Sequence, residues 1–302
     1  MRTAETVISA LRARGELWEV APGIVGLRGQ VLTLLRRLEN EIASLAQRDT
    51  PEEWAPPPAL AMQTLQRADY FASFPFWLTA ASHLPDDDRA LEQIATADEP
   101  IDAARSAARS TDVALPPALC YHVFERLSGR RLTTTHLVTL TGTCWRHERA
   151  ALAPLERQWA FTMREIVCVG AAEDVEDFRQ RGMRLAASLA SRLDLDAGFL
   201  VATDPFFAPT ARGKTIVQRV KALKHELALP IGGERSTAAA SFNNHEQFFG
   251  EAFGITLATG EPASSGCVAF GLERWLLAFL VAHGIERVAW PSLDAAFAET
   301  RS

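Results

Sequence analysis

Apolar positions recur with a helical period over residues 29–47, where Val31, Leu34, Leu35, Leu38, Ile42 and Leu45 fall on one stripe. The same period predicts a helix over 3–14, and residues 101–109 and 175–192 also read as helices. Shorter apolar or alternating runs at 136–143, 159–169, 197–203 and 225–229 predict strands. Asp49 to Pro58 is rich in proline and predicts a connector, and Pro85-Asp-Asp-Asp88 predicts an acidic, solvated turn. Strands separated by helices of uneven length, some joined as hairpins, predict an α+β fold on an antiparallel sheet. No internal repeat and no low-complexity tract interrupts it.

Length and charge narrow the functions open to the chain. With 302 residues it can bury a full core, and a net charge of −6 argues against a general nucleic-acid binder. No apolar run reaches the roughly 18 residues that would span a bilayer. The opening Met1-Arg-Thr-Ala-Glu-Thr-Val has no apolar signal-peptide core. The four cysteines, at 120, 144, 168 and 267, form no CxxC pair, which predicts a reduced, cytoplasmic protein with thiols available for metal.

Two segments carry candidate chemistry. Thr143-Cys-Trp-Arg146-His-Glu148 opens a polar excursion that is answered by Arg157-Gln-Trp-Ala-Phe161-Thr-Met-Arg-Glu165. Downstream, Ser264-Ser-Gly-Cys267-Val-Ala-Phe-Gly-Leu-Glu-Arg274 leads into the apolar run Trp275 to Val281, a strand-to-helix turn. Small residues there let backbone approach a ligand, and an arginine opening a helix can lie against a phosphate. The first segment resembles motif 2 of class II aminoacyl-tRNA synthetases, a β-hairpin that grips ATP. The second resembles motif 3, with Cys267 and Ala269 where two glycines usually fall. The resemblance implies a class II synthetase-like antiparallel β-sheet flanked by helices, and carboxylate adenylation as the reaction.

Further segments sharpen it: Gly23-Ile-Val-Gly26-Leu-Arg-Gly29, Tyr70-Phe-Ala-Ser-Phe74-Pro75, Leu115-Pro-Pro-Ala-Leu-Cys120-Tyr, Asp204-Pro-Phe-Phe207 and Ser241-Phe-Asn243-Asn-His245. With them the chain resembles the amino acid:[carrier protein] ligases, truncated relatives of the archaeal-type, zinc-dependent seryl-tRNA synthetases. That implies one catalytic domain over 1–302, with 1–58 as a helical segment packed on it and no tRNA-binding domain. It implies a zinc ion on Cys120, Glu165 and Cys267 that takes the substrate's amino group. Glu165 would end the second hairpin strand and Cys267 begin motif 3, both pointing into one bowl. From the residues alone, free cysteines are equally small buried hydrophobes, the reading kept for Cys144 and Cys168.

The same resemblance distributes the remaining roles. Arg146 would contact the α-phosphate of ATP and the amino acid carboxylate, Glu148 the adenine amino group, and Arg157 the γ-phosphate side. Phe161 and Arg274 would cover the two faces of adenine. Glu226 would serve the nucleotide and its Mg²⁺, and Asn243 would contact substrate. Six residues before Asn243, where seryl enzymes carry a second metal-binding glutamate, stands Thr237, and the nearest carboxylate is Glu234. Pro75 would help form a homodimer interface.

Residues 205–225 hold Arg212, Lys214, Arg219, Lys221 and Lys224 with no acidic residue among them. A basic helix over 214–224 is then either a dock for an acidic, phosphopantetheine-bearing carrier protein, through Lys214, Arg219 and Lys221, or a solvated face. The expected activity is ATP-dependent activation of glycine or alanine and its transfer to the carrier's thiol. The alternatives are an adenylating paralogue with another acceptor such as tRNA, and a catalytically silent zinc-containing interaction module.

Overall fold

The computed structural model describes residues 2–47, 51–148, 150–204, 218 and 220–291. Its centre is a seven-stranded sheet, whose strands we number β1 (Glu52–Trp54), β2 (His136–Trp145), β3 (Ala160–Gly170), β4 (Gly198–Val201), β5 (Lys224–Gly232), β6 (Arg235–Glu246) and β7 (Ser264–Gly271). Their spatial order is β4-β5-β6-β7-β3-β2-β1, antiparallel throughout except for the parallel pair β1–β2. The connector expected at 49–58 therefore contributes an edge strand. Tertiary pairing of Glu52–Trp54 with Val138–Leu140 overrides its proline-rich surroundings.

Five helices frame the sheet: α1 (Ala4–Ala13), α2 (Gly29–Ala46), α3 (Cys120–Arg126), α4 (Ala172–Arg192) and α5 (Leu272–His283). The stripe on α2 behaves as its spacing requires: Val31, Leu34, Leu38 and Ile42 are buried in one cluster with Val175 and Phe178 of α4 and Trp275 and Phe279 of α5. On the sheet side of this layer lie Ile166, Val268 and Phe270. A Cβ on Gly182 would come within 2.6 Å of the Val268 side chain, so glycine there lets α4 lie close on β7. Among the described residues no helix is long and apolar enough to cross a membrane.

Successive strand residues point to opposite faces, and that alternation makes the second layer. Val138 and Leu140 of β2, Met163 and Val167 of β3, and Cys267 and Ala269 of β7 pack with Tyr121, Phe124, Phe249 and Tyr70. Within β3, neighbours separate: Arg164 points toward α2, where Nε donates to Glu39 at 2.8 Å, and a terminal nitrogen lies 3.3 Å from Glu53 of β1. Glu165 points the other way. The acidic turn at 85–88 is also more ordered than solvation implies, because Asp87 caps the helix Asp88–Ala95 by accepting from the Ala90 amide at 2.8 Å.

Candidate active site

The second layer is incomplete over β3, β5, β6 and β7, and the gap is a cavity of about 230 Å³. Arg146, Glu148, Phe161, Glu165, Glu226, Asn243, Cys120, Cys267 and Arg274 all line it. Arg157 is not among these lining residues, and its Nε lies 4.0 Å from Glu148. Residues spread along the chain from Cys120 to Arg274 are thus brought together by strand alternation.

Arg146 follows the last residue of β2, where the hairpin opens. Its backbone amide donates to the Trp159 carbonyl at 2.9 Å and its side-chain Nε to the Pro117 carbonyl at 2.8 Å. The guanidinium lies 4.9 Å from the Trp77 ring centroid and 5.4 Å from that of Phe161, both within cation–π range. Its terminal nitrogens have no protein partner among the described residues, so a charged fork is held in place and left open to a ligand. Arg274 is fixed by the Glu156 carbonyl at 2.7 Å and the Ala238 carbonyl at 2.8 Å. Burial and the nearby Arg146 charge lower its pKa, against the opposing pull of Glu148 and Glu226.

At the far end stand the cysteines and Glu165. The carboxylate occupies the middle of β3 rather than its end, opposite Ala269 of β7. Its oxygens accept from the backbone amides of Leu119 at 3.2 Å and Cys120 at 2.7 Å, two donors that the start of α3 leaves unpaired. Burial, with Cys267 adding to it, raises the Glu165 pKa to about 7. The Cys120 and Cys267 thiols share a hydrogen bond, which raises the first and lowers the second. Asn243 Nδ2 at 3.3 Å and His245 Nε2 at 3.7 Å further favour ionised Cys267. Two thiols and a carboxylate on one cavity floor are chemically suited to zinc. Here they do not converge on a single point, since Glu165 is turned to the amides. Among the described residues no three His, Cys, Asp or Glu side chains are arranged to hold a metal ion. Cys144 and Cys168 are buried and lie outside the cavity lining.

The nucleotide-side carboxylates differ from expectation. Thr237 is buried within β6, paired with Leu229 of β5, and Glu234 belongs to the exposed turn before that strand. Neither reaches the cavity, whose carboxylates include Glu226, Asp204 and Glu273. Glu226 lies 3.1 Å from the Lys224 ammonium, which also meets Asp204 at 2.6 Å. Burial opposes both charges of the Asp204–Lys224 pair, yet each partner holds the other ionised: Asp204 titrates low and Lys224 high. Gln218 closes the group, donating to Asp204 at 2.8 Å.

Lys224 therefore opens a strand and faces inward, which removes it from the expected basic helix. Lys221 pairs with Glu246 at 2.6 Å on the surface, and Lys214 and Arg219 lie outside the described residues. Pro75, expected at a homodimer interface, begins a short 3-10 turn, Pro75–Trp77.

Several lining residues carried no signal of their own in sequence. Trp77 and Phe249 become neighbours of the site only through packing, and Lys224 reads as one cation of a basic run, whereas Tyr121 and His245 end segments already singled out in the sequence. Asp204 and Glu273 did stand inside recognisable segments, next to Pro205 and Arg274.

No protein-family model matches the chain. It is 35% identical over 239 residues to amino acid–[acyl-carrier-protein] ligase 1 of Bradyrhizobium diazoefficiens, across 78% of this chain and 73% of that protein. With ligase 2 of the same organism it shares 32% over 277 residues, or 90% of this chain and 81% of the relative. A type-2 serine–tRNA ligase of Methanopyrus kandleri is 29% identical over 198 residues, 61% of this chain and 37% of its own length. Among solved structures, M. kandleri SerRS in complex with A. aeolicus tRNASec superposes with a TM-score of 0.85 at 21% identity, over 97% of this chain and 59% of that one. The cytoplasmic serine–tRNA ligase of Naegleria fowleri in complex with AMP gives 0.73 at 12%, over 98% and 59%. The fold is that of the class II synthetase catalytic core, and the chain spans about six tenths of those solved chains.

Proposed function

Because the chain belongs to the amino acid–[acyl-carrier-protein] ligase family, we propose that it activates a small amino acid with ATP and transfers it to the phosphopantetheine thiol of a carrier protein. The observation that carries this reading is the convergence of Arg146, Phe161 and Arg274 with Cys120, Glu165 and Cys267 in one cavity.

In the first half-reaction an amino acid carboxylate oxygen attacks the α-phosphorus, the bond to the bridging oxygen breaks, and pyrophosphate leaves. Charge grows on the pentacoordinate phosphorus, and Arg146, already oriented by Pro117 and the two aromatic rings, is placed to stabilise it. Phe161 and Arg274 provide the two faces between which adenine stacks, with Glu148 toward its amino group and Arg157 toward the γ-phosphate. Glu226 is the proposed Mg²⁺ contact, and Asn243 contacts the amino acid. In the second half-reaction the carrier thiol attacks the acyl carbon and AMP departs.

Cys120, Glu165 and Cys267 are the proposed zinc ligands, with Glu165 turning from the α3 amides. Bound there, zinc would hold the substrate's α-amino group in its open position. Glycine or alanine suits the crowding of that end by Tyr70, Tyr121 and Phe249. Lys214, Arg219 and Lys221 remain the proposed carrier dock. A homodimer with Pro75 near the interface and a cytoplasmic location belong to the same proposal.

Pyrophosphate exchange across the twenty amino acids, followed by thioester formation on a holo carrier protein, tests it. Exchange with glycine or alanine and a labelled carrier is the expected outcome. Exchange without carrier labelling points to another acceptor, and no exchange with any amino acid overturns adenylation.

A further inference from the structure

The chain contains two tyrosines, and both line the cavity. Tyr70 is 1% exposed, and its hydroxyl is a buried polar atom with no hydrogen-bond partner among the described residues. Other buried side-chain atoms lack a partner too, on His122, His136 and Trp275, but none of those residues lines this cavity. A buried hydroxyl left without a partner is costly, so its retention calls for a reason.

Its surroundings supply one. The Tyr70 ring meets Tyr121 edge-on at 6.0 Å, and Tyr121 follows the Cys120 thiol directly in sequence. On its other side Tyr70 meets Phe74 at 5.8 Å, Phe74 stacks on Trp77 at 5.1 Å, and Trp77 carries the Arg146 guanidinium. The phenol thus stands between the thiol–carboxylate end of the cavity and the open arginine fork. Burial raises its pKa, against the pull of Arg146, so at neutral pH the hydroxyl keeps its proton and can donate. A neutral donor beside a cation, facing a space walled by aromatic rings, matches a small anion of limited depth.

We propose that the Tyr70 hydroxyl is a substrate-binding group that donates a hydrogen bond to the carboxylate of the amino acid, sharing that anion with Arg146. The inference rests on the adenylation reading and adds a residue to it. It separates the duties of the two groups: Arg146 follows the charge onto phosphorus, whereas Tyr70 orients the attacking carboxylate. Tyr70 is then a positioning contact for the nucleophile and takes no proton.

The test is Tyr70→Phe in pyrophosphate exchange with glycine and alanine. KM for the amino acid should rise about ten- to hundredfold, the loss of a hydrogen bond to a charged group. KM for ATP should stay within about twofold. Because the hydroxyl has no partner among the described residues, the melting temperature of Tyr70→Phe should equal or exceed that of the unaltered protein, which a structural role for the hydroxyl would not allow. An unchanged amino acid KM overturns the proposal. A parallel rise in the ATP KM assigns the hydroxyl to phosphate instead, and a lowered melting temperature assigns it to the fold. Failure of the underlying reading is a separate result: the unaltered protein would then show no exchange with any amino acid.

Discussion

Both carboxylate oxygens of Glu273, the second residue of α5, accept from the backbone amide of Thr162, at 2.9 and 3.0 Å. The contact fastens the helix that presents Arg274 to the hairpin that presents Arg146 and Phe161. Burial raises the Glu273 pKa against these hydrogen bonds. A carboxyl raised in the folded state stabilises most below its unfolded pKa, about 4.5, and that contribution is lost as pH rises through the folded value. The melting temperature of Glu273→Gln minus that of the unaltered protein should therefore increase over this window and level off above it. A difference that falls with rising pH would show that the fold favours the ionised form.

Arg146→Ala should leave the fold intact and reduce pyrophosphate exchange a hundred- to thousandfold, about 3–4 kcal/mol of transition-state stabilisation. The fold survives because the backbone contacts of residue 146 to Trp159 are kept. Normal exchange in a folded Arg146→Ala protein would sink the assigned role.

Zinc should copurify at about one ion per chain and depend on Cys120, Glu165 and Cys267, since a site with an open position needs each protein ligand. Metal analysis of Cys120→Ser against Cys144→Ser decides the matter. Loss of metal in the second with retention in the first would reverse the assignment. Chelation should also change the spacing of the two thiols, so each should react more readily with an alkylating reagent once metal is removed.

Charge reversal at Lys214, Arg219 and Lys221 should slow transfer to an acidic carrier while leaving pyrophosphate exchange unaltered. Association steered by charge is screened by salt, so transfer by the unaltered protein should fall steeply with ionic strength and that by the triple variant much less. Salt-independent transfer that the triple variant matches would make the stretch a solvated face.

How far the fold and the site are legible in sequence follows from the range of each signal. Residues 29–47 declare a helix because all its apolar contacts repeat within one element, and Arg146 and Arg274 stand out because their neighbours in sequence are also their neighbours in the site. The strand Glu52–Trp54 is illegible there, because its reason to be extended lies in Val138–Leu140, far along the chain. Lys224 is misplaced for the same reason: in sequence it joins Lys221, whereas in space it answers Asp204 and Glu226. Thr237 shows a further difficulty. Irregular pairing of β5 with β6 near Leu227 and Ala228 shifts the strand's phase, so counting back from Asn243 does not reach the cavity wall.

Arg164 and Glu165 are consecutive, yet one is bound by Glu39 and Glu53 and the other stands among the cysteines. A slip of one position in β3 would bury the cation in the cavity and strand the acid against two other acids. The clamp on the far side of the sheet thus acts as a stop that admits a single phase of the hairpin. A change at Glu39, which lies outside the cavity lining, should loosen that stop and be felt as misaimed chemistry before it is felt as lost stability.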